Sequence, residues 1–169
     1  PIDSISVSRI PHPSARFTPG QKIKAVVKGV DVEGRITLSY KELLGTWEEN
    51  ACRFSVGQTV AGILRSIESY GIFVELAPNL AGLAELRENE VPDLQSKIGK
   101  RVAVYIKSIL PERMKIKLVL IDIGSSAPDS EPTKLSYYVD PETTNHISHW
   151  IYSPPYAKKT VETLFDPCD

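Results

Sequence analysis

The chain has 169 residues, of which 41% are hydrophobic and 24% are charged, and its net charge is −1. This composition is typical of one ordinary globular domain or two small ones. The sequence has no run of about 20 apolar residues, which excludes a membrane-spanning helix. The two cysteines, Cys52 and Cys168, are too few for a disulfide framework and favour a reducing, cytoplasmic compartment. The chain opens on Pro1 without a signal-peptide pattern, which we interpret as a fragment or a processed piece.

The charge is distributed unevenly along the chain. Residues 1–53 carry a net charge of +2, residues 54–122 carry +1 and residues 123–169 carry −4. A basic front and an acidic tail fit polyanion binding, but a strong nucleic-acid binder usually shows a larger basic excess. Charge alone therefore does not identify a partner.

Residues 54–122 have the pattern of a small β-barrel. Short runs of β-branched and aliphatic residues alternate with turn residues throughout this stretch. We expect strands at Thr59–Ile67, Gly71–Leu76, Leu80–Ala84, Arg101–Ile109 and Lys115–Ile121. The polar stretch 87–97 is predicted to be a loop with at most a turn or two of helix.

The first 39 residues show part of the same order. Lys22–Asp31 aligns with Arg101–Leu110, and Gly34–Ser39 aligns with Met114–Val119. Residues 1–39 are therefore predicted to be the second half of another barrel, with strands at about 22–30 and 34–39.

Residues 40–53 are predicted to form a connecting helix. Ser39 and Glu42 have the spacing of a capping box, and Leu43, Leu44 and Trp47 form an apolar stripe. Gly45 is a weak point in this helix.

The end of the chain divides into a linker and a small ordered element. Residues 123–134 are rich in Ser, Pro and acidic residues, as linkers are. In 135–169 the runs LSYYV, HISHWIY and TVETLF predict three short strands, which need a surface to pack on. We expect them to dock on a barrel or on the connecting helix near Trp47. Docking on the face that bears Tyr70 and Phe73 would make them a lid.

Residues 56–86 and 102–122 together resemble the S-one RNA-binding domain, the repeat of the largest bacterial small-subunit ribosomal protein. The markers are Val56, Gly57, Tyr70, Gly71, Phe73, Val74, Gly82, Leu83 and the turn Pro111–Arg113. The resemblance implies a mostly β protein with a five-stranded OB-fold barrel. It covers 54–122 in full and 1–39 as a partial repeat without its first two strands. The whole chain most resembles uncharacterised multi-repeat S-one proteins of anaerobic Gram-positive bacteria.

The resemblance implies an RNA-binding face. In the family, two aromatic residues near the second strand stack bases, and they correspond to Tyr70 and Phe73. Phe73 has the alternative of pointing into the core. The basic residue that opens the fifth strand corresponds to Lys115, and Lys117 shares its face by the period of two, although both also fit an ordinary solvated strand face. In the partial repeat, the family positions are filled by Asp31 and Arg35.

Two departures from the family pattern weaken the RNA interpretation. Glu85 stands where the family usually has a histidine, and Leu110 stands where an aspartate commonly closes the fourth strand. A carboxylate that faces phosphate is repulsive. We therefore keep two hypotheses: non-catalytic binding of single-stranded RNA in translation or RNA metabolism, and a protein-interaction module whose barrel has lost most RNA contacts.

The sequence gives little support to catalysis. There is no phosphate-cradling glycine motif and no cysteine pair at metal-ligand spacing. His146 and His149 are favoured as strand residues on opposite faces rather than as metal ligands. We expect no cofactor, no metal and no membrane partner, and we expect single-stranded RNA, in the context of the ribosome or mRNA, and other repeats of the full-length protein as partners.

Overall fold

The computed structural model describes residues 1–86, 94–123 and 137–166. Within them the strands are β1 Val26–Val30, β2 Ile36–Ser39, β3 Thr59–Glu68, β4 Gly71–Ala77, β5 Leu80–Ala84, β6 Arg101–Leu110, β7 Lys115–Ile123, β8 His149–Ile151 and β9 Glu162–Leu164. The α-helix α1 spans Trp47–Ala51. No helix in the described ranges is long and apolar enough to cross a membrane.

Strands β3 to β7 form a closed barrel in the order β3-β4-β5-β7-β6. The β5–β7 contact is parallel and the other four are antiparallel. Alternate residues point inward, so that Leu64, Val74, Val104 and Ile106 are completely buried. The structure confirms the mostly β fold and the five-stranded barrel.

Gly82 allows the barrel to close. A Cβ atom at this position would lie 2.5 Å from Leu118 Cδ1 and 3.0 Å from the carbonyl oxygen of Ile116. Those contacts are tighter than a side chain tolerates, so β5 and β7 approach closely only because residue 82 has none.

The prediction of a continuous connecting helix over residues 40–53 is wrong. Lys41–Leu44 forms a 3₁₀ turn, and α1 begins after Gly45, whose φ of 93° cannot continue a right-handed helix. The capping box lies at Thr46 and Glu49 instead. The Ser39 hydroxyl donates to the carbonyl oxygen of Ser4, 3.3 Å away.

The N-terminal strands lie within the predicted ranges but are shorter. β1 and β2 form an antiparallel hairpin that is separate from the barrel of β3–β7. Ahead of β1 the structure has only 3₁₀ turns, at Ile2–Ser4 and Pro13–Ala15. The hairpin therefore lacks counterparts of three barrel strands, rather than the two that the sequence predicts.

The C-terminal segment contains two strands instead of three. β8 and β9 pair with each other, and residues 137–140 form no strand. Residues 135–136 lie outside the described residues, and so does the predicted linker from residue 124 onward. The aromatic residues Trp150, Tyr152 and Phe165 are buried in the same apolar cluster as Trp47. The segment thus docks on the connector at Trp47.

Asn79, which is fully buried in the turn between β4 and β5, joins three separate segments to the barrel. Its side-chain amide donates to the carbonyl oxygens of Lys41 at 2.6 Å and Gly45 at 3.1 Å. Its side-chain oxygen accepts from the Val7 amide at 3.1 Å, and its carbonyl oxygen accepts from the Tyr152 hydroxyl. The N-terminal segment, the connector and the C-terminal segment therefore all bond to one residue.

Replacing Asn79 with glycine should lower the free energy of unfolding by about 1–3 kcal/mol, because buried groups lose their partners. Asn79 has a φ of 65°, which glycine adopts without strain, so the loss reports the hydrogen bonds. Urea unfolding followed by tryptophan fluorescence measures it. Met114→Gly is the control, since Met114 also has a positive φ and its thioether is a weak acceptor. An equal loss in both variants would contradict the role of Asn79.

Candidate functional site

Tyr70 and Phe73 lie together on the outside of the barrel. Tyr70 is 60% exposed in the turn between β3 and β4, and Phe73 is half-buried on β4. Their rings meet edge to face, with centroids 6.2 Å apart and planes at 88°. Ile72 and Val74, the neighbours of Phe73, are completely buried, so Phe73 lies on the outer face. The alternative of an inward-pointing Phe73 is therefore wrong.

The two lysines continue the same face across the sheet. Phe73 pairs with Leu83 on β5, and Leu83 pairs with Lys117 on β7. Lys115 and Lys117 are both exposed, and Ile116 between them is buried. Phe73 and the exposed ammonium group of Lys117 thus lie on one surface, on the two strands that flank β5.

A buried charged cluster borders this surface. Glu75, two residues after Phe73 on the outer face of β4, accepts hydrogen bonds from Arg16 at 2.8 and 3.0 Å. Arg65 on β3 donates to the same carboxylate at 3.2 and 3.3 Å. The side chains of all three residues are at most 8% exposed. The N-terminal segment therefore covers the outer face of the barrel at Glu75.

The cluster keeps Glu75 ionised. Burial alone would raise the pKa of the Glu75 carboxyl, but the hydrogen bonds and charges of Arg16 and Arg65 outweigh it and hold the pKa below its ordinary value. The charge pairing is thus part of the folded state at neutral pH.

The positions that depart from the family pattern lie at the ends of the same strands. Glu85 is exposed directly after β5, and its predecessor Ala84 pairs with Ile72. This places Glu85 at the Phe73 end of the face. Leu110 is half-buried at the end of β6 and pairs with Lys115.

Asp31 and Arg35 lie apart from this face, in the turn of the β1–β2 hairpin. Asp31 accepts from the backbone amides of Glu33 and Arg35, each at 2.9 Å, and from Arg35 Nε at 2.8 Å. These bonds, led by the Arg35 amide, lower the pKa of the Asp31 carboxyl. Arg35 also contacts Glu33 at 2.6 Å. Asp31 and Arg35 therefore stabilise the hairpin turn, and the Arg35 guanidinium is paired with the carboxylates of Asp31 and Glu33.

The C-terminal segment does not lie on the face of Tyr70 and Phe73. It touches the turn ahead of β7, where the Lys158 amide donates to the carbonyl oxygen of Glu112 at 2.9 Å, but Lys115 and Lys117 remain exposed. The lid hypothesis is therefore wrong for the described residues. His149 pairs with Glu162 at 2.5 Å, and no cluster of metal-binding side chains occurs in the described ranges.

Sequence reasoning did not single out Tyr105. This residue is 37% exposed on β6 and pairs with Val119, two positions after Lys117 on β7. The signal was present, since Tyr105 alternates with the buried residues Val104 and Ile106, but every outward residue of a strand shares that pattern.

Comparison with known proteins identifies the family of the barrel. The chain is 32% identical over 137 residues to small ribosomal subunit protein bS1 of Chlamydia trachomatis, a match that covers 74% of this chain and 24% of that protein. It is 31% identical over 124 residues to bS1 of Leuconostoc lactis, over 69% of this chain and 29% of the relative. The chain belongs to the S-one domain family. No family model matches it.

The chain also matches part of a protein that is named as an enzyme. The chain is 31% identical over 131 residues to 4-hydroxy-3-methylbut-2-enyl diphosphate reductase of Clostridium tetani, over 73% of this chain and 20% of that protein. Among solved structures, GSP13 of Bacillus subtilis aligns with a TM-score of 0.35 and 26% identity, over 48% of this chain and 68% of GSP13. The chain spans about a quarter of the bS1 sequences it matches.

Acid should weaken the fold through Glu75. Because its folded pKa lies below the unfolded value, the stabilisation is present above about pH 4.3 and is lost as the pH falls through the folded pKa. Glu75→Gln should lower the free energy of unfolding by about 3–5 kcal/mol at pH 7, since two buried guanidinium groups lose their counter-charge.

Urea unfolding between pH 7 and pH 3 tests this expectation. The difference between wild type and Glu75→Gln should shrink as the pH falls below about 4.3, because the unfolded carboxyl then takes up a proton before the folded one does. Glu85→Gln is the control at an exposed position. A difference that is independent of pH would contradict the role of the Glu75 charge.

Proposed function

We propose that the barrel binds single-stranded RNA on the face that carries Tyr70, Phe73, Lys115 and Lys117. The observation that carries this proposal is the edge-to-face contact of the exposed Tyr70 with Phe73, which lies in the same cross-strand row as Lys117. Aromatic faces stack unpaired bases and lysines follow the phosphates, which is the pattern of single-strand binding by OB-folds.

The extent of the proposed RNA site is limited by the N-terminal segment, which covers part of the outer barrel surface. Arg16 and Glu75 occupy the outer face of β4 on one side of Phe73, so the strand of RNA has access from Phe73 toward Tyr70. Tyr105 and Val119 extend the open surface beyond Lys117. We propose Tyr105 as an additional stacking residue at that side.

We propose a non-catalytic role in translation or RNA metabolism in the cytoplasm. The matched relatives include a ribosomal protein and a protein named as a reductase. In each of them the matched region is about a quarter or less of the relative's own length. Proteins so different share a binding module more readily than a catalytic centre. The ribosome or mRNA would supply the RNA.

Asp31 and Arg35 have a smaller part in this proposal. The Arg35 guanidinium bonds to Asp31 and contacts Glu33, so its affinity for phosphate is opposed by two carboxylates. We propose that these two residues stabilise the hairpin turn, and that any contact of Arg35 with phosphate is weak.

A second candidate function is protein binding by the same barrel. Val119 is 37% exposed and Ile121 is 58% exposed along β7, and Glu85 places a negative charge beside the aromatic pair. An apolar strip with an acidic edge suits a polypeptide better than a polyanion. The two candidates differ in their dependence on salt, because only RNA binding releases condensed counterions and weakens for that reason as salt rises.

Replacing Tyr70 with alanine should weaken binding to a short single-stranded RNA by about 1–3 kcal/mol, the usual loss for one stacked base. Fluorescence anisotropy with a labelled oligonucleotide measures the affinity. Tyr156→Ala is the matched control, because Tyr156 is 59% exposed and hydrogen-bonds to Glu48 in another part of the molecule. Equal affinities of wild type and Tyr70→Ala, with the fold intact by circular dichroism, would remove Tyr70 from the site.

Reversing the charge at residue 85 should strengthen RNA binding. Glu85→Lys removes a repulsive carboxylate and adds an ammonium group, so the slope of log K against log salt should steepen by about 0.7 for one added phosphate contact. Glu142→Lys makes the same change in net charge at an exposed position of the C-terminal segment. The same increase in both variants would mean that net charge, rather than position, determines affinity.

A further inference from the structure

The positive charge of the C-terminal segment is concentrated at one place. Residues 137–166 contain two Lys or Arg residues, Lys158 and Lys159, which are adjacent and exposed. The same range carries four carboxylates, at Asp140, Glu142, Glu162 and Asp166. The position of the two lysines, rather than the net charge, therefore decides what this part of the segment can bind.

The two lysines lie beside the turn between β6 and β7. The Lys158 amide donates a hydrogen bond to the carbonyl oxygen of Glu112 at 2.9 Å. Glu112 directly precedes Arg113, and Lys115 follows two residues later as the first residue of β7. The backbone of the segment is thus fixed at the start of the strand that carries Lys115 and Lys117, while both lysine side chains of the segment point into solvent.

The cations on both sides of this contact have no carboxylate partner. Within the described residues, no ion pair is formed by the exposed side chains of Arg113, Lys115, Lys117, Lys158 and Lys159. By contrast, arginines of the N-terminal segment, the hairpin turn and β3 are each paired with a carboxylate, at Arg9, Arg16, Arg35 and Arg65. A cation without such a partner breaks no ion pair when it contacts a phosphate, so all five suit a polyanion.

Two carboxylates oppose the cations near this turn. Glu112 belongs to the turn itself, and Glu48 on α1 accepts a hydrogen bond from the Tyr156 hydroxyl at 2.8 Å. Carboxylates of the segment are engaged elsewhere, since Glu162 is paired within the β8–β9 sheet and Asp166 lies against β1. Positive charge therefore exceeds negative charge along this surface.

We propose that Lys158 and Lys159 extend the RNA-binding face of the barrel onto the C-terminal segment. The path follows β7: Lys117 stands in the cross-strand row of Phe73, and Lys115 is two residues, or about 7 Å, nearer the β6–β7 turn. The phosphates of a strand that runs along β7 then reach the turn and the two lysines of the segment. This inference rests on the proposed function and deepens it, because it gives the acidic segment a part in binding the same RNA.

The expected effect is the reverse of that of a lid. A segment that competed with RNA would weaken binding, and changes that removed its contacts would strengthen it. Here the lysines add phosphate contacts, so their removal makes the salt slope shallower by about 0.7 for each contact. The effect depends on the length of the RNA, because a strand that ends at the barrel does not reach the segment.

Fluorescence anisotropy with labelled oligouridylates of two lengths tests the proposal. Lengths of about 5 and about 15 nucleotides lie near the two ends of the range that OB-folds cover. In the full chain, Lys158→Ala with Lys159→Ala should make the slope of log K against log salt shallower by about 1.4 on the long strand. The short strand, held by the aromatic pair, should keep its affinity within about twofold. Alanine retains the backbone amide that bonds to Glu112, so the segment stays docked.

Lys22→Ala with Lys28→Ala is the matched control, because it removes the same charge at two exposed positions of the N-terminal part. A change confined to the long strand and to the Lys158 and Lys159 variant supports the proposal. An unchanged slope on the long strand overturns it, and so does an equal loss on both lengths or in the control, which would be a general effect of charge.

Tyr70→Ala, measured with the short strand, separates this proposal from the proposed function. If Tyr70→Ala binds the short strand as tightly as wild type, the proposed face itself fails and the extension fails with it. If Tyr70→Ala weakens binding while the Lys158 and Lys159 variant leaves the slope on the long strand unchanged, only the extension fails.

Discussion

The buried side chain of Asn79 is the contact on which the arrangement of this molecule depends. One amide group bonds to the N-terminal segment through Val7 and to the connector through Lys41 and Gly45. The backbone carbonyl of the same residue bonds to Tyr152 of the C-terminal segment. If the buried amide and carbonyl groups of Asn79 had no hydrogen-bond partners, the folded state would lose the free energy needed to remove them from water. Loss of any one of the three segments therefore destabilises the turn.

The position of Asn79 also affects which part of the outer barrel surface the three segments cover. β4 begins directly after Tyr70 and ends directly before Pro78 and Asn79, so Tyr70 and Asn79 lie at opposite ends of one strand. The segments gather at the Asn79 end, and Arg16 extends their cover along the outer face as far as Glu75. The N-terminal segment also reaches the Tyr70 end, where Arg9 pairs with Glu68 at 2.9 Å. Tyr70 is nevertheless 60% exposed and Lys117 is exposed, so the surface between them is open.

The sequence predicted the barrel well because its strands alternate and each turn contains recognisable residues, such as Pro78 and Asn79 ahead of β5. It failed at the connector, where Ser39 and Glu42 have capping-box spacing but Gly45 adopts a φ of 93° that ends the helix. The aromatic pair and the lysines came from family resemblance, and the structure brings them onto one face. The Arg16–Glu75–Arg65 cluster could not be found this way, since Arg16 lies 59 residues before Glu75 and only tertiary packing brings it to the β3–β4 pair.

The small basic excess of the chain limits how RNA binding by one barrel can work. If Lys115 and Lys117 each neutralise one phosphate, the salt slope of a single barrel is only about −1.4, and most of the affinity must come from stacking on Tyr70 and Phe73. Such a site binds weakly and tolerates many sequences.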